Sequence, residues 1–275
     1  MIFQETNQLL KSKYSKYFEN ITIEKIEIGI LITAVKLSNG YCGVSSSNLD
    51  STINLSSKQK RNFGPFTPGN IAGQKVLDLF QYMDNEEIMS SVKLAVLSAL
   101  SSFIIDKFNY NVLEDKDPFD LLDLSEPKTI TLVGAFETYI RRIDETKHKI
   151  QVLELNKDAL RDEHKHLFVP AINACKVLPN SDIIIITGLT LVNNTIDELL
   201  NLIPSEKKVI VVGPSISILP DILFQRNVNI IGSTMIFDAD KMFKIVSEAG
   251  AAYHLFHHKC AKKICLINKE EDLRK

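Results

Sequence analysis

The chain has 275 residues, 45% of them apolar, and a formal net charge of −2. That length holds one large domain or two ordinary ones, and a balanced charge gives no field to draw in a nucleic-acid backbone. Lys262-Lys263 and Arg141-Arg142 are isolated pairs, not a basic stripe with interleaved aromatics, so no nucleic-acid partner is expected.

The opening stretch MIFQETNQLLKSKYSKYF is polar and amphipathic, with no basic segment leading into an apolar run. Apolar runs such as Ile183 to Ile186 are far too short to span a bilayer. Cys42, Cys175, Cys260 and Cys265 are too scattered for a disulfide framework. The expectation is a soluble, cytoplasmic protein with no membrane partner.

In chain order, Leu9, Leu10, Tyr14 and Tyr17 predict a helix over 5–18. Ile21, Ile23, Ile26, Ile28 and Ile30 alternate, with one slip near Lys25, which predicts strands with one buried face. Asn39-Gly40 predicts a tight hairpin turn, with Tyr41 to Ser45 returning as the partner strand. Ser46 to Gly73 reads as a long loop. Asp84 to Glu87 has capping-box spacing ahead of a helix carrying Ile88, Val92, Ala95, Val96, Ala99, Leu100 and Phe103. The first half, residues 1–110, is thus a small α+β domain, and the acidic, proline-containing stretch 111–127 reads as a linker.

From 128 to 275 the pattern changes. Short β-branched runs at Thr129 to Val133, Ile150 to Leu155, Asp182 to Ile186, Lys208 to Val212, Val228 to Ile231 and Lys263 to Ile267 alternate with helical segments. Such runs are strands buried on both faces, so the fold class is α/β, a doubly wound and mostly parallel sheet. Thr195 to Glu198 reads as a second capping box, Asp238 as a helix cap, and Gly250 as a helix stop.

Ligands of such sheets sit outside the carboxyl ends of the strands. Those ends carry Gly134, Glu154, Thr187-Gly188 leading into Thr190, Asn193 and Thr195, then Gly213-Pro214-Ser215, and Gly232-Ser233-Thr234. Glycine lets a ligand approach the backbone, and the hydroxyl and amide groups supply short neutral hydrogen-bond partners. Gly134 and Glu154 also have the spacing of a glycine turn and a ribose-binding acid, which points to a nucleoside-containing cofactor, S-adenosylmethionine or a nicotinamide. VGAFETY, however, lacks the repeated glycines that admit a pyrophosphate, and no P-loop or G-x-S-x-G elbow is present. Glu154 and Asp238 are the acid–base candidates if buried.

The stretches SDIIIITGLTLVNNTIDELL and KVIVVGPSISILPDILFQRNVNIIGSTMIFDADKMFKIVSEAG resemble the Rossmann-like domain of the heavy-metal chelation proteins. IGILITAVKLSNGYCGVSSS and SVKLAVLSAL match, more loosely, that family's partner domain, which is similar to the enolase N-terminal fold. The resemblance implies a small-molecule or metal-chelate ligand, with a transition metal or its chelate as the bound group, in the cleft between the domains. It carries over to Gly134, Glu154, Thr187, Gly188, Thr190, Asn193, Thr195, Gly213, Pro214 and Ser215. This chain departs from the family pattern at Asn194, where a small residue is usual, and in the run Ser45-Ser46-Ser47.

His254, His257, His258 and Cys260, with Cys265 nearby, form the densest set of metal-ligand types. They precede the last strand, which places them at the end of the sheet away from the cleft. A second group, Asp162, Glu163, His164 and His166, reads as a solvated polar loop leaving the ligand edge. The edge of the N-terminal sheet offers a route to a homo-oligomer.

Overall fold

Ile2, Thr6, Leu10 and Tyr14, spaced four apart, line one buried stripe of α1 (Ile2–Tyr14) in the computed structural model, which describes residues 1–47, 64–82, 86–144 and 146–268. The isoleucine-rich segment folds into β1 (Ile23–Ile28) and β2 (Ile32–Leu37), and the slip in alternation is a register shift between Ile23 and Lys25. β3 (Cys42–Ser46) returns through Asn39-Gly40, where Gly40 adopts the positive φ of 88° that the turn requires. These strands form an antiparallel sheet in the order β1-β2-β3.

α2 (Val76–Leu79) and α3 (Glu86–Lys107) follow. Residues 48–63 of the expected long loop, and Asp84 and Asn85 of the expected capping box, lie outside the described residues. The Met89–Lys107 stretch of α3 is long and apolar enough by composition to cross a membrane, yet 83% of it is buried inside the fold. It lies against β2 and β3, and a Cβ on Gly43 would overlap the Ala95 carbonyl oxygen and the Ala99 amide nitrogen. The other face of the small sheet does not face solvent as expected. Ile32, Ala34, Cys42 and Val44 pack on Met242, Phe243, Val246 and Leu255 from the end of the chain.

The stretch expected to be a linker contributes β4 (Val112–Glu114) to the large sheet. Then come β5 (Thr129–Val133), α4 (Glu137–Asp144), β6 (Lys149–Glu154), β7 (Phe168–Pro170) and α5 (Ala174–Val177). β8 (Ile183–Thr187), α6 (Leu189–Val192), α7 (Ile196–Asn201), β9 (Lys208–Val212) and α8 (Asp221–Gln225) continue the crossovers. β10 (Ile230–Ile236), α9 (Ala239–Ser247), α10 (Ala252–His257) and β11 (Ala261–Ile267) are the last of the described elements. The eight-stranded order is β4-β11-β10-β9-β8-β5-β6-β7, and the pairings from β10 to β7 are all parallel. The fold is therefore mixed α/β, with a mostly parallel sheet beside a smaller antiparallel one. Counted in chain order, the six parallel strands run 3-2-1-4-5-6, so the order reverses between β5 and β8.

Side chains alternate between two cores, as strands covered on both faces must. Ile184, Ile186, Val209 and Val211 join α1 and α3 on one face, whereas Ile130, Leu132, Ile185 and Ile210 join Tyr139, Ile140 and Ile143 on the other. The N-terminal helix is tied to the second half: the Ile2 amide donates to Asp197, and Arg226 bridges Glu5 and Asp197.

Some sequence expectations fail locally. Gly232-Ser233-Thr234 does not end the fifth run, because β11 pairs with all seven residues of β10 and extends that strand to Ile236. Gly232 serves packing instead, since a Cβ there would lie 2.5 Å from Pro118 Cγ. Thr195 caps α7 without a side-chain bond to the helix, so the expected box is not made. Asp238 does cap α9, accepting from the Lys241 amide at 3.0 Å. Ala249, at φ 59°, takes the left-handed position after α9, while Gly250 avoids a clash with Ile245.

Candidate functional site

Two adjoining cavities open on the carboxyl edge of the large sheet. The first, about 600 Å³, lies at the reversal point and is walled by the ends of β5, β6 and β8 with the turns that follow. Six of the ten expected ligand residues line it: Gly134, Glu154, Thr187, Thr190, Asn193 and Thr195. The second, about 410 Å³, lies between the two sheets and is lined by Gly188, Gly213, Pro214 and Ser215, with Ser46, Ser47 and Ile30 to Ile32 facing them. Thr187, Leu189 and Phe136 border both. The expected ligand edge is thus split between a cavity within the large sheet's own loops and one between the sheets.

In the first cavity the polar groups are held by their neighbours. Gly134, at φ 108°, turns the chain off β5 and sits where a Cβ would touch Thr187 Cγ2 at 3.0 Å. Glu154 Oε1 accepts from the Leu155 amide at 2.7 Å, which leaves Oε2 as the oxygen not used by this turn. Thr190 is buried and donates its hydroxyl to the Thr187 carbonyl at 2.6 Å. Asn193 Oδ1 accepts the Thr195 hydroxyl at 2.7 Å. Asn194, the departure from the family pattern, adopts φ 59°, the left-handed region that glycine and asparagine tolerate best. The rest of the wall is mostly apolar: Val133, Ala135, Phe136, Leu153, Ala159 and Leu199 among others. Glu154 and Glu198 are its charged residues, and no lysine or arginine lines it among the described residues.

The second cavity is closed by direct contacts. Ser215 is buried, accepts from the Ser46 amide at 2.8 Å and donates to the Ser46 hydroxyl at 3.1 Å. Gly188 admits Ile216, whose amide nitrogen would lie 3.0 Å from a Cβ at that position. Residues that sequence reasoning did not assign to a site line these spaces: Ile30 and Leu31 in the second, Leu155 in the first and Leu189 in both are large apolar side chains left exposed at the rims. Their signal was available, because loops after strand ends are ordinarily polar.

The expected metal set does not converge. His254, His257 and His258 are exposed on or just after α10, and His254 Nδ1 accepts from the Ala251 amide at 2.9 Å. Cys260 is buried, its thiol turned to the Leu255 carbonyl at 3.2 Å, and burial pushes it toward the protonated form. Cys265 is buried within β11, its thiol pushed up to about 12 by burial. The placement is also corrected. β11 runs antiparallel to β10, so the start of β11 lies at the same edge as the cavities, and Ala251 and Ala252 line the second one. Asp238, an acid–base candidate, is spent on its cap and its ion pair with Lys241, which hold its carboxyl below the usual range.

The loop after β6 is not simply solvated. Asp162 is exposed and pairs with Lys165, and His166 is exposed and turned to the Glu163 carbonyl oxygen. His164 is 5% exposed and faces Glu137, with Nδ1 to Oε2 at 3.4 Å.

Comparison with known proteins places the chain. An uncharacterized protein of Methanocaldococcus jannaschii is 29% identical over 150 residues, 54% of this chain and 55% of that protein, so the chain spans about half the length of this curated relative. Two crystal structures of proteins with unknown function from the DUF364 family share the fold across 98% of this chain and the whole of theirs. The one from Pyrococcus horikoshii has a TM-score of 0.76 at 19% identity. The one from Desulfitobacterium hafniense has a TM-score of 0.71 at 16% identity. The DUF364 family, described as "Putative heavy-metal chelation", matches residues 117–265, and a second family of the same description, DUF4213, matches residues 11–101. With more than half of its length inside the first match, the chain belongs to the DUF364 family.

Proposed function

We propose that this protein binds a small organic molecule or metal chelate in the cavity at the strand-order reversal of its large sheet. The carrying observation is the composition of that cavity. About 600 Å³ of mostly apolar wall holds two carboxylates and no described basic residue. Such a site is the right size for a drug-sized ligand. It favours a neutral or cationic one, because a phosphate would enter a low-dielectric space with no opposite charge. A cationic chelate with an apolar ring face meets these conditions, in keeping with the family's description. The site belongs to the large sheet's own loops, and the small sheet contributes to the neighbouring cavity.

A second reading draws on Gly134 and Glu154, which close adjacent strands in the positions of a glycine turn and a ribose-binding acid. It is a nucleoside-containing cofactor. The missing cation favours a sulfonium such as S-adenosylmethionine over a nicotinamide dinucleotide, whose pyrophosphate would be unpaired. Titration calorimetry with S-adenosylmethionine, NAD⁺ and a cationic cobalt tetrapyrrole tests both readings. Binding of the tetrapyrrole that weakens about 10-fold in Glu154→Gln or Asn193→Ala supports the first. The same result with S-adenosylmethionine supports the second. Tight NAD⁺ binding that weakens in Glu154→Gln overturns the argument from charge, and binding indifferent to both substitutions removes the cavity assignment.

A further inference from the structure

Outside the cavity, Glu137, Glu163 and His164 each bring a ligand-type atom within 4.8 Å of the others. Glu137 opens α4, directly after Phe136 on the cavity wall. Glu163 and His164 belong to the 3₁₀ turn Asp162–Leu167, which follows Ala159, also on that wall. The connections leaving β5 and β6 therefore meet at this cluster, and only the fold brings residue 137 to residues 163 and 164.

His164 stands out within it. It is 5% exposed, and its Nδ1 has no hydrogen-bond partner. Glu137 Oε1 is likewise buried without a hydrogen bond, although Arg161 Nε lies 3.1 Å away. The other Glu137 oxygen, Oε2, lies 3.4 Å from His164 Nδ1, and Glu163 Oε1 lies 4.0 Å from His164 Nε2. Glu137 Oε1 is compensated by that ion pair, but a 5% exposed histidine with a ring nitrogen lacking a hydrogen bond is costly, and native structures keep one where an occupant or a function accounts for it.

The geometry points to a divalent transition-metal site formed by Glu137, Glu163 and His164. One imidazole nitrogen and two carboxylates suit borderline cations such as zinc, cobalt, nickel or manganese. Three protein ligands leave a coordination position for water or for a donor atom of an incoming chelate. Arg161 and Arg141 approach Glu137 on Oε1, at 3.1 and 3.6 Å, and leave Oε2 toward the cation. A guanidinium on the far oxygen of a ligating carboxylate fixes its orientation in the manner of outer-shell partners. Both arginine side chains are about 60% exposed, so solvent screens much of their repulsion of a cation. The alternative is a direct contact between His164 and Glu137 with no metal at all.

Cobalt(II) chloride distinguishes them, titrated into full-length protein purified without a chelating tag. The expected result is one equivalent bound, with visible d–d absorption and a nitrogen–oxygen ligand sphere by X-ray absorption. Glu163→Gln, an exposed side chain whose replacement leaves the fold intact, lowers the affinity at least about 10-fold, and Glu137→Gln does the same. Asn193→Ala and Glu154→Gln leave cobalt binding unchanged, which separates this site from the cavity assignment. No cobalt bound by the unsubstituted protein, affinity retained in both glutamine variants, or affinity lost only on His254→Ala/His257→Ala would each overturn the site.

Discussion

The carboxyl edge of the large sheet has two regions built from similar residues and put to different uses. At β5, β6 and β8 the small and polar residues surround open space, and Glu154, Asn193 and Thr195 bond only to their own turns. At β9 and β10, and at Gly188 where the β8 turn meets them, the same kinds of residue admit neighbouring chain: Gly188 makes room for Ile216 after β9, Gly232 for Pro118, and Ser215 bonds to Ser46 from 169 positions away. Small residues at strand ends thus mark close approach, and what approaches is decided by whether another part of the chain covers the edge. Here the small sheet and α3 cover one side of the reversal point and leave the other exposed.

The largest expected effect lies on the closed side. Gly43→Ala drives a methyl into the α3 backbone and is expected to lower stability by roughly 3 kcal/mol, read from the urea midpoint. A change of a few tenths would show that α3 and the small sheet are not tightly joined.

The closed side also encloses its thiols. Burial raises Cys42 from its ordinary value of 9.0 to about 11 and Cys265 to about 12. Because the folded value exceeds the unfolded one, the stability linked to each thiol is fully present below pH 9.0. It is lost as pH rises through the folded values, at about 1.4 kcal/mol per pH unit for each thiol. Urea midpoints that fall above pH 9.0, and fall less in Cys265→Ala, check the sign. At neutral pH an alkylating reagent should modify exposed Cys175, beside Ala174 on the open side, and spare Cys42, Cys260 and Cys265. Equal labelling of all four would break the contrast between the regions.

Ser215→Ala removes two bonds to Ser46 and is expected to cost about 1–2 kcal/mol while leaving ligand affinity in the first cavity unchanged. Loss of affinity there would merge the two cavities into one site. Asn193→Ala, on the exposed turn, should change stability by less than about 0.5 kcal/mol and affect ligand binding alone. A larger destabilisation would assign Asn193 to holding the turn at Asn194 and Thr195.

Much of the large sheet was legible because its signal is local. Thr129 to Val133 and Lys208 to Val212 coincide with β5 and β9 residue for residue, since runs of β-branched side chains buried on both faces leave no other conformation so well satisfied. β7 carried no such signal: three residues ending in proline form it, and its pairing with β6 supplies the order that its own sequence lacks. The direction of β11 was equally hidden, and with it the edge on which His254 to Cys260 lie, because direction depends on the route of the chain through α9 and α10. Of the site, the turn residues were readable from their types. The exposed Leu155 and Leu189 were readable only by asking why apolar groups follow strand ends.

By itself the sequence determined the local geometry: buried strands, the Asn39-Gly40 turn with its positive φ at Gly40, and the cap at Asp238. The tertiary structure alone decided which strand ends stay open and which are sealed. It also decided that His164 meets Glu137, and that no three of His254, His257, His258 and Cys260 bring their ligand atoms together. The reason is physical. Backbone conformation answers to neighbours in sequence, whereas the filling of a cavity or the pairing of a buried charge answers to residues that only packing brings together.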